Sequence, residues 1–190
     1  SIPGRGCGKC LKSKPPRNIV LPPPQEEEIT SLKSLSLAYV LVQKPEELAV
    51  WSAIIHHYHY IPGCHLYGQQ LRYLVLAEND ASFDWLGLAG RPLAALSFSS
   101  AAWRVSCRDH FIGWNDEQRI ANLPLVVNNS RFLILPWIRV PNLAYCILGA
   151  MGRRVAEDWM GRYHLKPVLL ESFVECDRFA GTCYKAANWQ

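Results

Sequence analysis

Residues 131–174 read RFLILPWIRVPNLAYCILGAMGRRVAEDWMGRYHLKPVLLESFV, and this stretch decides the fold. Arg131-Phe132-Leu133-Ile134-Leu135 has strand character and ends at Pro136. Asn142 stands where a helix cap belongs, and behind it Leu143, Ile147, Met151, Val155 and Trp159 recur every four residues, which predicts a helix buried along one side. Val168 to Val174 reads as a buried strand with one carboxylate, Glu171, in its middle.

Working outward, Glu46 to Tyr60 places Leu48, Trp51, Ile54, Ile55 and Tyr58 at three-and-four spacing, a helix that Pro45 starts and Pro62-Gly63 ends. Leu71 to Ala77 and Leu93 to Ser99 read as two antiparallel strands. Asn115 is placed to cap a short helix over Asp116 to Asn122, which Pro124 breaks before Leu125-Val126-Val127. Thr182 to Ala186 reads as a last strand. No internal repeat is apparent. This order of elements predicts an α+β or α/β domain, with helices packed on both faces of a mixed central sheet.

The chain upstream has a different character. Its first 28 residues hold six of the thirteen prolines and five basic residues but no aromatic, and they end in Pro22-Pro23-Pro24 and Glu26-Glu27-Glu28. Such a segment buries too little apolar surface to offset its ordering entropy, so residues 1–28 are expected to form an extended arm and residues 29–190 a single globular domain. The chain opens on Ser1 and stops at Gln190 directly after an aromatic motif, so either end is expected to be incomplete.

Across 190 residues, 49% are apolar and 19% charged, a composition that excludes wholesale disorder. A formal charge of +4 permits an acidic partner without demanding one. No apolar run is long enough to cross a membrane and the amino terminus lacks a signal-type apolar core, so a cytoplasmic location with no membrane partner is expected. Seven cysteines, an odd and scattered set, read as mostly reduced core residues. Cys7 and Cys10 have zinc-ligand spacing without a second close pair, so no metal site is assigned to them. Neither glycine-loop pattern for nucleotide phosphates is present, which argues against ATP hydrolysis.

Three constellations can carry chemistry. His56-His57-Tyr58-His59-Tyr60, followed by His65, places His56, His59 and Tyr60 on one helix face, suited to acid–base work or to a metal; read as a strand, it would pair His57 with His59 as a metal-dependent single-strand nuclease does. The competing reading is a polar helix end. In the middle of the chain Ser99, Ser100, Trp103, Arg104, Arg108, Asp109, Trp114, Arg119, Asn128, Asn129 and Arg131 interleave arginines with tryptophans, as a surface for phosphates and bases requires. Here the competing reading is a structural ion pair of Asp109 with Arg108 or Arg119. Glu171, with Tyr184, Lys185 and Asn188 downstream, is a candidate general base and Tyr184 a candidate acid; a buried Glu171–arginine pair is the alternative.

From about Trp51 to Trp189 the chain resembles the DruA family, named for the Druantia anti-phage defence system and found also beside transposase genes. The stretches that carry the resemblance are His56-His57-Tyr58, Gly68-Gln69-Gln70-Leu71-Arg72-Tyr73-Leu74-Val75, Phe98 to Trp103, Arg108-Asp109-His110-Phe111-Ile112-Gly113-Trp114, Asn122 to Pro136, and Gly181-Thr182-Cys183-Tyr184-Lys185-Ala186-Ala187-Asn188-Trp189. The carboxy-terminal pattern is similar to the GCN5-related N-acetyltransferase (GNAT) architecture, in particular to the phage Mom branch that modifies DNA adenine.

The resemblance implies a protein that acts on or binds nucleic acid, DNA or RNA, alongside defence-system or transposase partner proteins. If catalytic, it implies transfer of an acyl-type group to an amine. Glu171 would then be the base and Tyr184 the acid, with Arg72, Arg108, Arg119 and Arg131 on phosphates and Asn128, Asn129 and Asn188 for positioning. In that architecture the strands carrying Arg131 to Leu135 and Val168 to Val174 splay apart around an acyl donor, whose phosphates rest on the amino end of the intervening helix. The loop Trp137-Ile138-Arg139-Val140 lacks the glycines for such phosphates, so acetyl-CoA is a poor candidate; Arg139 can instead hold a phosphate by its side chain. The other readings are a non-catalytic nucleic-acid-binding module and a metal-dependent nuclease centred on His56, His57 and His59.

Overall fold

A computed structural model of the chain describes residues 36–61, 66, 68–78, 84–85, 88–175 and 177–189. The expected arm, Cys7, Cys10, His65 and the Pro62-Gly63 helix stop all lie outside the described residues. The elements are β1 (Leu37–Leu41), α1 (Pro45–Tyr58), β2 (Gln70–Ala77), β3 (Asp84–Trp85), β4 (Leu88–Ala89), β5 (Arg91–Ser100), α2 (Ser106–Ile112), α3 (Asp116–Asn122), β6 (Val126–Ile134), α4 (Leu143–Tyr163), β7 (Leu169–Glu171) and α5 (Thr182–Ala186). One 3-10 turn over Leu123–Leu125 joins α3 to β6.

The main sheet has the order β1-β2-β5-β6-β7. Its first three pairings are antiparallel and the last, β6 with β7, is parallel. The fold is therefore α+β on a mixed sheet, as the order of elements predicts. Successive residues of β2 show where the helices lie, because neighbours along a strand face opposite ways. Arg72 stacks over Trp51 of α1, while the Tyr73 hydroxyl donates to Asp158 of α4 at 2.9 Å, so α1 and α4 cover opposite faces.

Local chemistry explains the best-formed elements. In α1, Pro45 presets the first turn and the Glu47 carboxylate accepts the backbone N–H groups of Gln43 and Lys44. Asn115 and Gln118 satisfy each other's backbone N–H at the start of α3. In α4 the residues Leu143, Ile147, Leu148, Met151, Val155 and Trp159 are buried, and all but Leu148 share one core cluster with Tyr73, Leu96 and Phe98. Tyr163 ties the far end of α4 to β2: its hydroxyl accepts from the Gln70 N–H at 2.8 Å and donates to the Gln70 carbonyl at 2.7 Å.

Several expectations are corrected. Thr182 to Ala186 is a helix, α5, because Gly181 (φ +67°) turns the chain so that its carbonyl accepts from Tyr184 and Lys185. Asn142 makes no side-chain cap and instead takes a left-handed turn at φ +67°. The strand expected over 168–174 shrinks to three residues with Val168 76% exposed, so Glu171 closes a short strand and does not sit in the middle of a buried one. β6, by contrast, starts five residues before Arg131 and absorbs Val126-Val127. Helix α1 ends at Tyr58, two residues early, and His59 turns to extended backbone. The described cysteines are not core residues: Cys107 is exposed, while Cys146 and Cys183 are half-buried.

Candidate functional site

The feature that organises the site is the way β6 and β7 part. They are paired only over Val126–Asn128 and Leu169–Glu171. Beyond Asn128, β6 runs on for six residues to Ile134 while β7 has ended, leaving one edge of β6 without a neighbouring strand. A bulge marks the fork: Phe98 faces Asn129 and Ser97 faces Arg131, so Ser130 is an extra residue on β6. The polar run Asn128-Asn129-Ser130-Arg131 between the apolar ends of the strand is its sequence signal.

Within the open part of the fork lies a cavity of about 620 Å³, bounded by Asn129 to Ile134, Ser172 to Val174, the Arg178–Tyr184 segment, and Tyr58, His59 and Tyr60 at the end of α1. On its α5 side the Tyr184 hydroxyl donates to Asn129 Oδ1 at 2.8 Å, and burial pushes this phenol up to about 12. Asn129 is itself buried, its amide donating to the carbonyls of Ser97 and Arg131. Ser172 reaches back across the fork to the Asn129 carbonyl at 3.4 Å.

On the other side are His59 and Arg131. His59 is 6% exposed, and its Nδ1 accepts the Ile61 N–H at 3.1 Å, which leaves the hydrogen on Nε2. Burial, reinforced by the Arg131 charge, lowers its pKa to about 4, so the ring stays neutral near pH 7. Arg131 is 8% exposed and bonds the Ser130 carbonyl through Nη1, while its Nη2 has no hydrogen-bond partner among the described residues.

Glu171 lies at the closed end of the fork and is not among the residues that line the cavity. Arg108 approaches its two oxygens at 3.3 and 3.4 Å and also binds Asp109 at 2.9 Å. Arg119 joins Asp109 at 3.6 Å and Asp116 at 2.8 Å. Trp114 lies against Arg108 and Trp103 against Arg119. The middle and the carboxy-terminal constellations thus meet in one ion network, with Arg108 and Arg119 each 6% exposed and already facing carboxylates. Burial raises the Glu171 pKa, and the attraction of Arg108 opposes that shift without cancelling it. Asn128, in register with both Ser99 and Glu171, has a buried Oδ1 without a hydrogen-bond partner among the described residues.

The remaining candidates fall elsewhere. Ser99 is buried in β5, and the Ser100 hydroxyl accepts the Gln69 N–H. Arg72 is engaged with Gln70 and Trp51. Arg139 is exposed in the loop before α4, and Asn188 is exposed at φ +62° after α5. His56 and His57 stand edge to face on α1, His57 exposed, and neither lines the cavity; His59, placed by sequence only in the histidine cluster, does. Because His57 and Tyr58 are the last residues of a helix, the strand pairing of His57 with His59 does not occur. Among the described residues no three His, Cys, Asp or Glu side chains converge to hold a metal ion. No described helix is long and apolar enough to cross a membrane.

Fold and site together define an α+β protein with a ligand-sized cleft where a parallel strand pair forks. Residues 14–190 match the family of the Druantia protein DruA, and the chain belongs to that family. Membership carries with it an anti-phage, Druantia-related role. No curated protein and no solved structure matches the chain.

Proposed function

We propose that the chain is a GNAT-like protein that acts on nucleic acid in phage defence by transferring an acyl-type group to an amine, together with other components of its defence system. The observation that carries this reading is the fork itself: a parallel β6–α4–β7 unit whose strands separate after three paired residues, around a cavity reached from both continuations. Tyr184 is the acid best placed for such a reaction, since its hydroxyl is buried beside the cavity and its raised pKa keeps it protonated. Glu171, the base in this reading, sits at the closed end of the fork with Arg108 against its oxygens.

An acyl-CoA pyrophosphate fits poorly at the start of α4. Asn142 is left-handed there, the first helical N–H of Leu143 already meets the Val140 carbonyl, and Trp137 to Val140 contains no glycine. The donor in this reading is therefore an acyl carrier other than CoA. The engagement of Glu171 favours one second reading, a binding module in which the fork holds nucleic acid without transfer.

Native mass spectrometry of the protein purified from its host without added ligand separates the two. A co-purified acyl donor that is lost in Tyr184→Phe supports transfer. Nucleic acid alone, retained in that variant, replaces it with the binding module.

A further inference from the structure

The cavity in the fork is cationic and aromatic. Among the described residues its lining includes two arginines, Arg131 and Arg178, and no Asp or Glu. The two differ in setting. Arg178 is half-exposed, stacked over Tyr60 at 5.1 Å and near Phe179 at 5.8 Å, with Glu175 at 3.8 Å as a loose partner. Arg131 is more than nine-tenths buried, forms no ion pair among the described residues, and leaves Nη2 without a hydrogen bond. Burying an arginine without an anion costs far more than leaving it in water, and a native site of this kind implies a counter-charge from beyond the described residues, which an anionic ligand can supply.

The neighbouring group sharpens the ligand's character. With Nδ1 of His59 taken by Ile61, what remains on that ring is an N–H donor beside the Arg131 guanidinium. Two donors and one positive charge at a buried position suit the oxygens of a single anionic group. Around it stand flat rings, of which Tyr60, Phe173 and Phe179 lie toward solvent, Phe173 52% and Phe179 47% exposed. Exposed rings at the mouth of a pocket are stacking platforms, and every nucleobase offers a face to stack. A cavity of about 620 Å³ is within the range that small-molecule sites occupy.

We propose that this cavity binds a nucleoside phosphate, with its phosphate on Arg131 and the His59 Nε2–H and its base among Tyr60, Phe173 and Phe179. The inference rests on the fork being the ligand cleft, as in the proposed function, and names what enters it; it does not require that transfer occur. A free nucleotide and a nucleotide within a single strand present the same chemistry.

The test is calorimetric titration of the full chain, at fixed ionic strength, with each of the four ribonucleoside 5′-monophosphates, the four matching nucleosides, and a mixed single-stranded hexanucleotide. At least one monophosphate is expected to bind about tenfold or more tighter than its nucleoside. Arg131→Gln should bring that ratio close to one while nucleoside binding persists, which also reports that the variant is folded. Phe179→Ala, at a half-exposed position, should weaken nucleoside and monophosphate by similar factors. A hexanucleotide that binds tighter than the monophosphates and depends equally on Arg131 identifies a strand as the source, whereas monophosphate binding without hexanucleotide binding identifies a free nucleotide. Equal affinity for monophosphate and nucleoside, no binding of any probe, or a preference that survives Arg131→Gln overturns the proposal. An acyl donor found by mass spectrometry beside an absent phosphate preference sinks this inference and spares transfer; the converse spares this inference alone.

Discussion

Replacing His59 with Asn should flatten the acid limb of the protein's stability curve. In the folded chain this imidazole is held neutral by burial and by the Arg131 charge, its pKa lowered from 6.5 to about 4. The unfolded chain therefore binds the extra proton first as pH falls. Stability contributed by the neutral ring is fully present above pH 6.5 and is lost progressively as pH drops through the window down to about 4. Over the whole window the drop amounts to on the order of 3 kcal/mol, of which roughly 2 kcal/mol falls between pH 7 and pH 5. Asn is the informative substitute because its Oδ1 can take the place of Nδ1 in accepting the Ile61 N–H, which at 3.1 Å is the bond that fixes the ring. Urea unfolding of both proteins at pH 7, 6 and 5 reads the effect as a difference of slopes, so that other titrating groups cancel. The wild-type protein should lose about 2 kcal/mol more than the variant over that interval. Parallel curves would show that His59 titrates alike in the folded and unfolded states, and the account of a buried imidazole beside the Arg131 charge would fall with it.

Tyr184→Phe strands the buried Asn129 Oδ1 that the hydroxyl meets at 2.8 Å, and should lower the unfolding free energy by about 1–3 kcal/mol without changing the urea m-value. At Glu171 burial outweighs the pull of Arg108, so the neutral isostere in Glu171→Gln should alter stability by no more than about 1 kcal/mol near pH 7. Arg108→Met leaves Glu171 and Asp109 without their shared cation and should cost about 3–5 kcal/mol; equal effects of these two variants in chemical denaturation would refute the ion-network account. Gly90→Ala should cost more than about 2 kcal/mol in the same assay, because at φ +129° a Cβ would sit 2.6 Å from the Ala77 carbonyl oxygen.

Periodicity made the long elements legible. The four-residue stripe of α4, the apolar face of α1 and the capping pair at Asn115 and Gln118 each announce a helix without help from the rest of the chain. What periodicity could not reach are elements that exist through distant partners. Leu37–Leu41 is a strand because it pairs with β2 more than thirty residues later, and nothing local separates it from the Pro- and Glu-rich segment before it. Helix α2 has Val105 at its N-cap, whose side chain cannot cap, and α5 opens with Thr182 and Tyr184, residue types that favour strands, until a left-handed Gly181 turns the segment into a helix. The site was legible in pieces. Tyr184, Asn129 and Arg131 were singled out, but in two separate constellations, and only the fork brings them to one cavity with His59. Glu171 stood out because a carboxylate in an apolar stretch needs a reason; the structure supplies Arg108 as a partner, the alternative that the residues alone left open.

The closed end of the fork and its open end depend on each other. Three residues of parallel pairing form a weak junction by themselves, and here the last of them, Glu171, is fastened to α2 through Arg108. That buried contact fixes the register at which β7 stops, directly opposite Asn128. One residue further on, the Asn129 carboxamide and the Ser130 bulge turn β6 toward the cavity, so the point where pairing ends is also where ligand-facing groups begin. The ion network is therefore a clamp that sets how far the strands stay together, which explains why charges outside the cavity adjoin it so closely. On this argument Arg108→Met should do more than destabilise. By letting β7 slip against β6, it should also weaken nucleotide binding at Arg131, which among the described residues shares no hydrogen bond or ion pair with the clamp. A variant that loses stability yet keeps its full phosphate preference would separate the clamp from the cleft.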